Sequence, residues 1–185
     1  MLSVLLHLSR WIDAVNERVG AAVSWLVLLA VVISAGNAMV RYLLNSSSNA
    51  WLEAQWYLFS GILLLCAGYT LLRNDHIRID IVSNLLSPRA RIWIDVLGSL
   101  FFLLPVCAVL GLLSWPLFVE SYARHEISGD AGGLLRWPVK LLMPAGFLLL
   151  AAQGISEIIK RAAQLADRDP GDAQSEAPAA RTGQR

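Results

Sequence analysis

The sequence predicts an all-α membrane protein with four transmembrane helices, both termini cytoplasmic, and short interfacial amphipathic helices. Three observations carry this. The 185 residues are 56% hydrophobic and only 16% charged, where a soluble domain carries about 25% charge. Those charges gather at the two ends and in three short gaps, leaving four long stretches with none. The basic residues also divide unequally between the gaps, which sets an orientation.

The elements follow in order. In residues 1–18, Leu5, Leu8, Ile12, Val15 and Val19 recur at steps of three and four, while Arg10, Asp13 and Glu17 fall opposite. This predicts an interfacial amphipathic helix lying in the headgroup layer, the alternative being a plain extension of the first span. Residues 19–160 form the membrane domain, with spans at about 19–44, 51–72, 92–119 and 138–159. The charge-free stretch Val19–Val40 has 22 residues, or about 33 Å of helix against a hydrocarbon core of about 30 Å. Ala54–Leu72 has 19 residues and Val96–Val119 has 24; Pro105 and Pro116 predict a kink or tilt in the latter. Leu141–Ser156 has only 16, extended at one end by interfacial Trp137 and a snorkelling Lys140. The first span starts late and lacks a small-residue cleavage site, so no cleaved signal peptide is expected. Residues 167–185 lack periodicity and read as a disordered cytoplasmic tail.

Eleven of the fifteen Lys and Arg residues lie before span one, between spans two and three, or after span four. The other two loops hold Arg41, Arg124, Arg136 and Lys140, so both termini are read as cytoplasmic.

Several chemistries are excluded by what the spans lack. A net charge of +1 argues against a nucleic-acid partner. Cys66 and Cys107 lie in apolar stretches and do not make a disulfide framework. No Asp, Glu, Lys, Arg or His interrupts the four charge-free stretches, where a proton relay or ion-coupled carrier usually needs one. Haem ligation wants imidazoles inside the bundle, yet His7, His76 and His125 lie outside the spans. His76 and Asp80 make a lone pair in a basic loop, short of a metal set. No phosphate loop or nucleophile elbow occurs. The chain therefore reads as non-enzymatic and without a cofactor.

Packing remains. Ala30, Ser34 and Ala38 make a small-residue strip, as Gly61 and Gly68 do on span two, suited to close helix approach within the bundle or to a partner. Polar groups collect at the outer edge: Asn37, Arg41 and Asn45 closing span one, and Trp51, Glu53, Gln55 and Trp56 opening span two. A carboxylate so near the hydrocarbon wants a partner, and Arg41 is its nearest candidate in sequence. The inner loop alternates through Asp75-His76-Ile77-Arg78-Ile79-Asp80 and then takes helical spacing from Ile81 to Leu86, an amphipathic surface helix. It should stop near Ser87-Pro88, a cap and first-turn proline for the next helix. The outer loop carries Glu120, Arg124, His125, Glu126, Ser128 and Asp130 before Gly132-Gly133, long and charged for a connector.

With these residues in view, the chain resembles the small permease subunit of tripartite ATP-independent periplasmic (TRAP) transporters, the DctQ-like family, over roughly residues 10–160. The marks are Trp51-x-Glu53 with Trp56, Gly68 followed by Asp75-His76-Ile77-Arg78-Ile79-Asp80, Glu126-x-Ser128, Trp137-Pro138, and Pro144-x-Gly146. Gln55 departs from the pattern, standing near where relatives often carry a second acidic residue. Arg41, Trp51, Glu53, Trp56, Gly68, His76, Arg78, Asp80, Glu126, Ser128, Trp137, Pro138, Pro144 and Gly146 are the candidate interface or structural residues.

The resemblance implies a complex in the bacterial inner membrane. A periplasmic solute-binding protein captures an organic acid and hands it to a large multi-span permease subunit, which holds the solute and sodium sites and moves as an elevator. The small subunit, embedded in the lipid bilayer, serves as a scaffold and binds no substrate, metal or cofactor. The alternative from a different class is a membrane anchor subunit of a quinone-linked respiratory enzyme.

Overall fold

A computed structural model describes residues 2–45, 48–73 and 87–167. Helices α1 (Leu2–Leu44), α2 (Asn49–Arg73), α3 (Pro88–Gly98), α4 (Leu104–Ala123) and α5 (Trp137–Asp167) make up nearly all of it, with a π-helical turn, Ser99–Leu103, joining α3 to α4. No strand forms among the described residues; one isolated antiparallel bridge pairs Ile127 with Leu135. Because α3, the π turn and α4 run on as one rod, four helices are long and apolar enough to cross a membrane. The all-α class with four membrane-long helices is the one read from the sequence.

Helix α1 has 43 residues, about 65 Å at 1.5 Å per residue. The expected surface helix of residues 1–18 is therefore continuous with the first span. Its inward face is not the apolar stripe of Leu5 and Leu8. Ser9, Ile12, Asn16, Gly20, Val23, Ala30 and Asn37 are the buried positions, whereas Leu5 and Leu8 are exposed. The physical reason is the solvent: lipid is as apolar as leucine, so small and polar side chains turn inward and apolar ones outward.

Helix α2 lies between α1 and α5, packing on both, with Gly61 and Gly68 buried. Helix α5 is the hub, touching α1, α2, α3, the π turn and α4. Several approaches are close enough to demand glycine, two of them on α2 and α5. A Cβ on Gly146 would stand 2.7 Å from the Leu64 carbonyl oxygen, and one on Gly68 would stand 2.3 Å from Asn16 Oδ1. Helix α4 packs on α5 and barely on α1 or α2, through Cys107, Ser114 and Ser121 at seven-residue intervals. The architecture is thus a three-helix cluster, α1–α2–α5, with α4 strapped to the outside of α5.

At the start of α3 the Ser87 hydroxyl accepts from the Ala90 amide at 3.3 Å, and Pro88 occupies the first turn, as the sequence predicted. The π turn has its cause in Pro105. A proline lacks the N–H that would close an α-helical bond and its ring crowds the carbonyl four residues back. The extra residue in the preceding turn relieves that crowding, and the Leu104 amide bonds the Ser99 carbonyl instead. Pro116, the other proline of this span, lies inside continuous α4.

Few large side chains are buried, while Trp25, Leu63, Phe102 and Leu112 are all at least 70% exposed. An apolar surface this extensive is stable only against lipid or a partner protein.

Candidate functional site

Polar side chains concentrate at the two ends of the bundle. At the end carrying the loops, residues 124–136 fold back on themselves. His125 takes a left-handed conformation (φ 47°) and Gly132 another (φ 75°). The Ser128 amide then donates to Leu134 O at 3.0 Å, and the Arg136 amide donates to Glu126 O at 2.8 Å. This presents the Leu134 amide to α2, where it donates to Glu53 Oε2 at 2.6 Å. The Ser128 hydroxyl is aimed at the same carboxylate, and the Arg136 guanidinium stands nearby. Asn49 Nδ2 donates to Ala131 O at 3.2 Å, pinning the loop again at the start of α2.

A second carboxylate anchors the other side of the loop. Glu126 is held by Lys140 Nζ, with Arg136 Nη1 at 4.0 Å. The Lys140 ammonium holds the Glu126 carboxyl below its ordinary value of 4.5. Trp137 packs edge-on against Tyr122, ring centroids 5.5 Å apart, tying α5 to the end of α4.

The structure thus brings Glu53 together with Glu126, Ser128 and Trp137, residues marked in the sequence more than seventy positions further along it. Pro138 sits beside Trp137 in the first turn of α5, where a missing N–H costs nothing. Arg41 is a correction. It is exposed on α1, and Glu53 is taken by Leu134 and its neighbours; the fold of the loop, and not distance along the chain, decides the partner. Gln55, the departure from pattern, donates to Ser34 Oγ at 2.6 Å, so the strip through Ala30 and Ser34 is an internal seam with α2. Trp51 and Trp56 are exposed at 49% and 74%, suiting an aromatic belt. Pro144 and Gly146 are buried on α5 and Gly68 on α2. Asp75, His76, Arg78, Asp80 and the predicted helix of Ile81 to Leu86 lie outside the described residues, as do residues 168–185 of the tail.

The opposite end holds a network that the sequence reading did not anticipate. Asn16 and Gln153 are fully buried, with Asn16 Nδ2 donating to Gln153 Oε1 at 2.9 Å. Gln153 Nε2 donates to Asp13 Oδ1 at 2.9 Å, and Ser156 Oγ reaches the same atom at 2.7 Å. The Ser9 and Ser156 hydroxyls are 2.7 Å apart. Lys160 closes the network on Asp13 Oδ2 at 3.1 Å and on Glu157 at 2.5 Å. Asp13 therefore faces α5 and not the headgroup layer. The available signal was the seven-residue spacing of Ser9, Asn16 and Asn37, with Gln153, Ser156, Glu157 and Lys160 at helical steps on α5. Arg73 of α2 adds a bond to Glu17 of α1 at 2.6 Å.

Chemically, both clusters are clamps, each carboxylate spent on an amide or ammonium of the same chain. Among the described residues no group of three or more His, Cys, Asp or Glu side chains is placed to hold a metal. Residues 29–164 match the family described as tripartite ATP-independent periplasmic transporters, DctQ component. No curated protein and no solved structure matches the chain.

Proposed function

The chain belongs to the DctQ family, the small permease component of TRAP transporters, and on that premise we propose that it scaffolds a large permease subunit during sodium-coupled uptake of an organic acid. It is a multi-pass protein of the inner membrane. The solute would arrive on a periplasmic binding protein and cross within the large subunit. The family match over residues 29–164 is the observation that carries this reading. It is supported by a bundle whose buried polar groups serve its own helices, leaving apolar surface outward. An elevator needs a fixed wall, and α4, packed on α5 alone, widens that wall. The family assignment leaves the respiratory-anchor reading without support.

Co-expression with the large permease subunit tests the proposal. The two chains should co-purify in mild detergent, and deleting this one should abolish sodium-driven uptake of the acid. Uptake that survives the deletion, with no co-purification, sinks it.

We also propose that both termini face the cytoplasm, on the Lys and Arg distribution. In intact cells, a membrane-impermeant maleimide should label Asp130→Cys and spare Thr182→Cys. The reverse pattern would invert the topology.

A further inference from the structure

Three causes of a helix bend fall together between α3 and α4. Gly98-Ser99 is a pair of weak helix formers, the π turn Ser99–Leu103 carries an inserted residue, and Pro105 removes a backbone donor. Each of these alone is a usual seat of a sharp kink. Gly98 also has room to turn, because a Cβ built on it meets nothing within 4 Å. The two sides of this joint are held unequally. Helix α4 seats Cys107, Ser114 and Ser121 against α5. Helix α3 packs on α5 and the π turn, and on neither α1 nor α2 to a comparable extent. Among its described residues Ile92 alone is buried, while Trp93, Ile94 and Leu97 stand exposed.

The tie between α3 and α5 has two positions. Arg161 of α5 stands with its Nη2 3.6 Å from Asp95 of α3 and its Nε 4.0 Å from Glu157, one turn back on its own helix. Neither distance is the roughly 2.7–2.9 Å of a closed charge-assisted bond, so the guanidinium is shared. The three side chains are at most 27% exposed, which shields them from salt better than a surface pair. An Arg161 that leaves Asp95 still has Glu157, so release strands no buried cation. Glu157 is held in turn by Lys160 at 2.5 Å, and Lys160 by Asp13 of α1 at 3.1 Å. The second position is thus anchored in the α1–α5 contact, away from the joint.

We propose that α3 is a hinged arm that pivots on the segment from Gly98 to Pro105 and is latched by Arg161, which exchanges between Asp95 when the arm is held and Glu157 when it is released. The two states differ by one ion-pair exchange, with the helix bonds of α3 and α4 kept. The arm has 11 residues and is about 17 Å long, so a pivot of about 20° carries its far end about 6 Å. Such an arm lets one end of the scaffold follow a moving companion while α1, α2 and α5 hold still. That use rests on the scaffold reading, but the pivot belongs to this chain and is measured on it alone.

Paired spin labels read the pivot. The full-length chain, with Cys66 and Cys107 replaced by Ala, carries one label at Trp93→Cys on α3 and one at Trp11→Cys on α1. The reference pair joins Leu113→Cys on α4 to the same site on α1; all three labelled positions are exposed. Pulsed dipolar distances are taken in lipid nanodiscs. Asp95→Asn should raise the ratio of released to held arm about three- to fivefold, and Glu157→Gln should lower it by about as much. The reference distance should stay fixed in both. Gly98→Ala combined with Pro105→Ala stiffens the joint, so it should narrow the α3 distribution and abolish the response to Asp95→Asn. An α3 distribution unchanged by Asp95→Asn, an equal shift in the reference pair, or an undiminished response in the stiffened joint overturns the proposal. Should Asp95→Asn fail to fold, Glu157→Gln decides alone, and an unchanged ratio overturns it.

Discussion

Asn16 Oδ1 occupies the space that the first side-chain carbon of residue 68 would need: a Cβ on Gly68 would lie 2.3 Å from it. That oxygen has no conventional donor, and Gly68 lets it rest against the α2 backbone, where a Cα–H offers a weak bond. Gly68→Ala must push α1 and α2 apart or drive Asn16 from Gln153. The expected loss is about 1–3 kcal/mol, typical of overpacking. Gly36→Ala, with open space around it, should change stability by less than about 0.5 kcal/mol. Thermal unfolding of the two variants in the same detergent gives the comparison, and equal melting temperatures would contradict it.

The network around Gln153 leads to a second expectation. Gln153 accepts from Asn16 and donates to Asp13, so truncation to Ala leaves a cavity and also strips a buried amide of its acceptor. A loss of about 2–4 kcal/mol follows from those two costs together. Ser9→Ala and Ser156→Ala remove one shared hydroxyl contact, and their double mutant should lose less than the sum of the singles by about 0.6 kcal/mol, the usual size of an interhelical bond in a membrane. Strict additivity would mean that the two hydroxyls do not interact.

At the other end, Glu53 is the acceptor that holds the loop on α2. Glu53→Ala should free the Leu134 amide, raising its hydrogen-exchange rate by about tenfold or more, since a hydrogen bond to a charged group is worth about 1.5–3 kcal/mol. Glu53→Gln keeps an acceptor and should exchange at an intermediate rate. Arg41→Ala, which alters none of the groups that hold Glu53, should leave Leu134 protection unchanged. Faster exchange in Arg41→Ala would restore the pairing that the sequence suggested.

How much of this was legible in advance depends on what kind of force set each feature. The four spans were readable because a bilayer forbids unpaired charge over a fixed length, and that rule acts residue by residue. Ser87-Pro88 was readable for the same reason, being local chemistry at a helix start. The packing face of α1, through Ser9 and Asn16, was illegible because the apolar stripe of Leu5 and Leu8 draws the eye, whereas in lipid it is small and polar side chains that turn inward. The Glu53 contact was illegible because its donor is a backbone amide, which every residue carries; only the bridge of Ile127 to Leu135 aims it. The π turn hid in a similar way: Pro105 announced a disturbance without saying that an inserted residue would absorb it.

Glu126 gives a pH dependence whose sign is fixed. Its carboxyl titrates below the ordinary 4.5, through the Lys140 ammonium paired with it. A lowered value in the folded protein means that ionisation favours folding: the contribution is complete above about pH 4.5 and is lost as pH falls through the lowered value. Thermal stability of the loop end should therefore be flat from pH 7 to 5 with respect to this group and decline below 4.5. Glu126→Gln removes the titration, so its melting temperature should start lower at pH 7 and converge with the wild type in acid. In a background that keeps Trp137 as its single tryptophan of the seven, fluorescence is a local readout, because Trp137 sits against Tyr122 beside the pair. If Glu126→Gln and the wild type lose stability in parallel below pH 4.5, the acid sensitivity belongs to other carboxylates and the Lys140 contact contributes nothing to holding the loop.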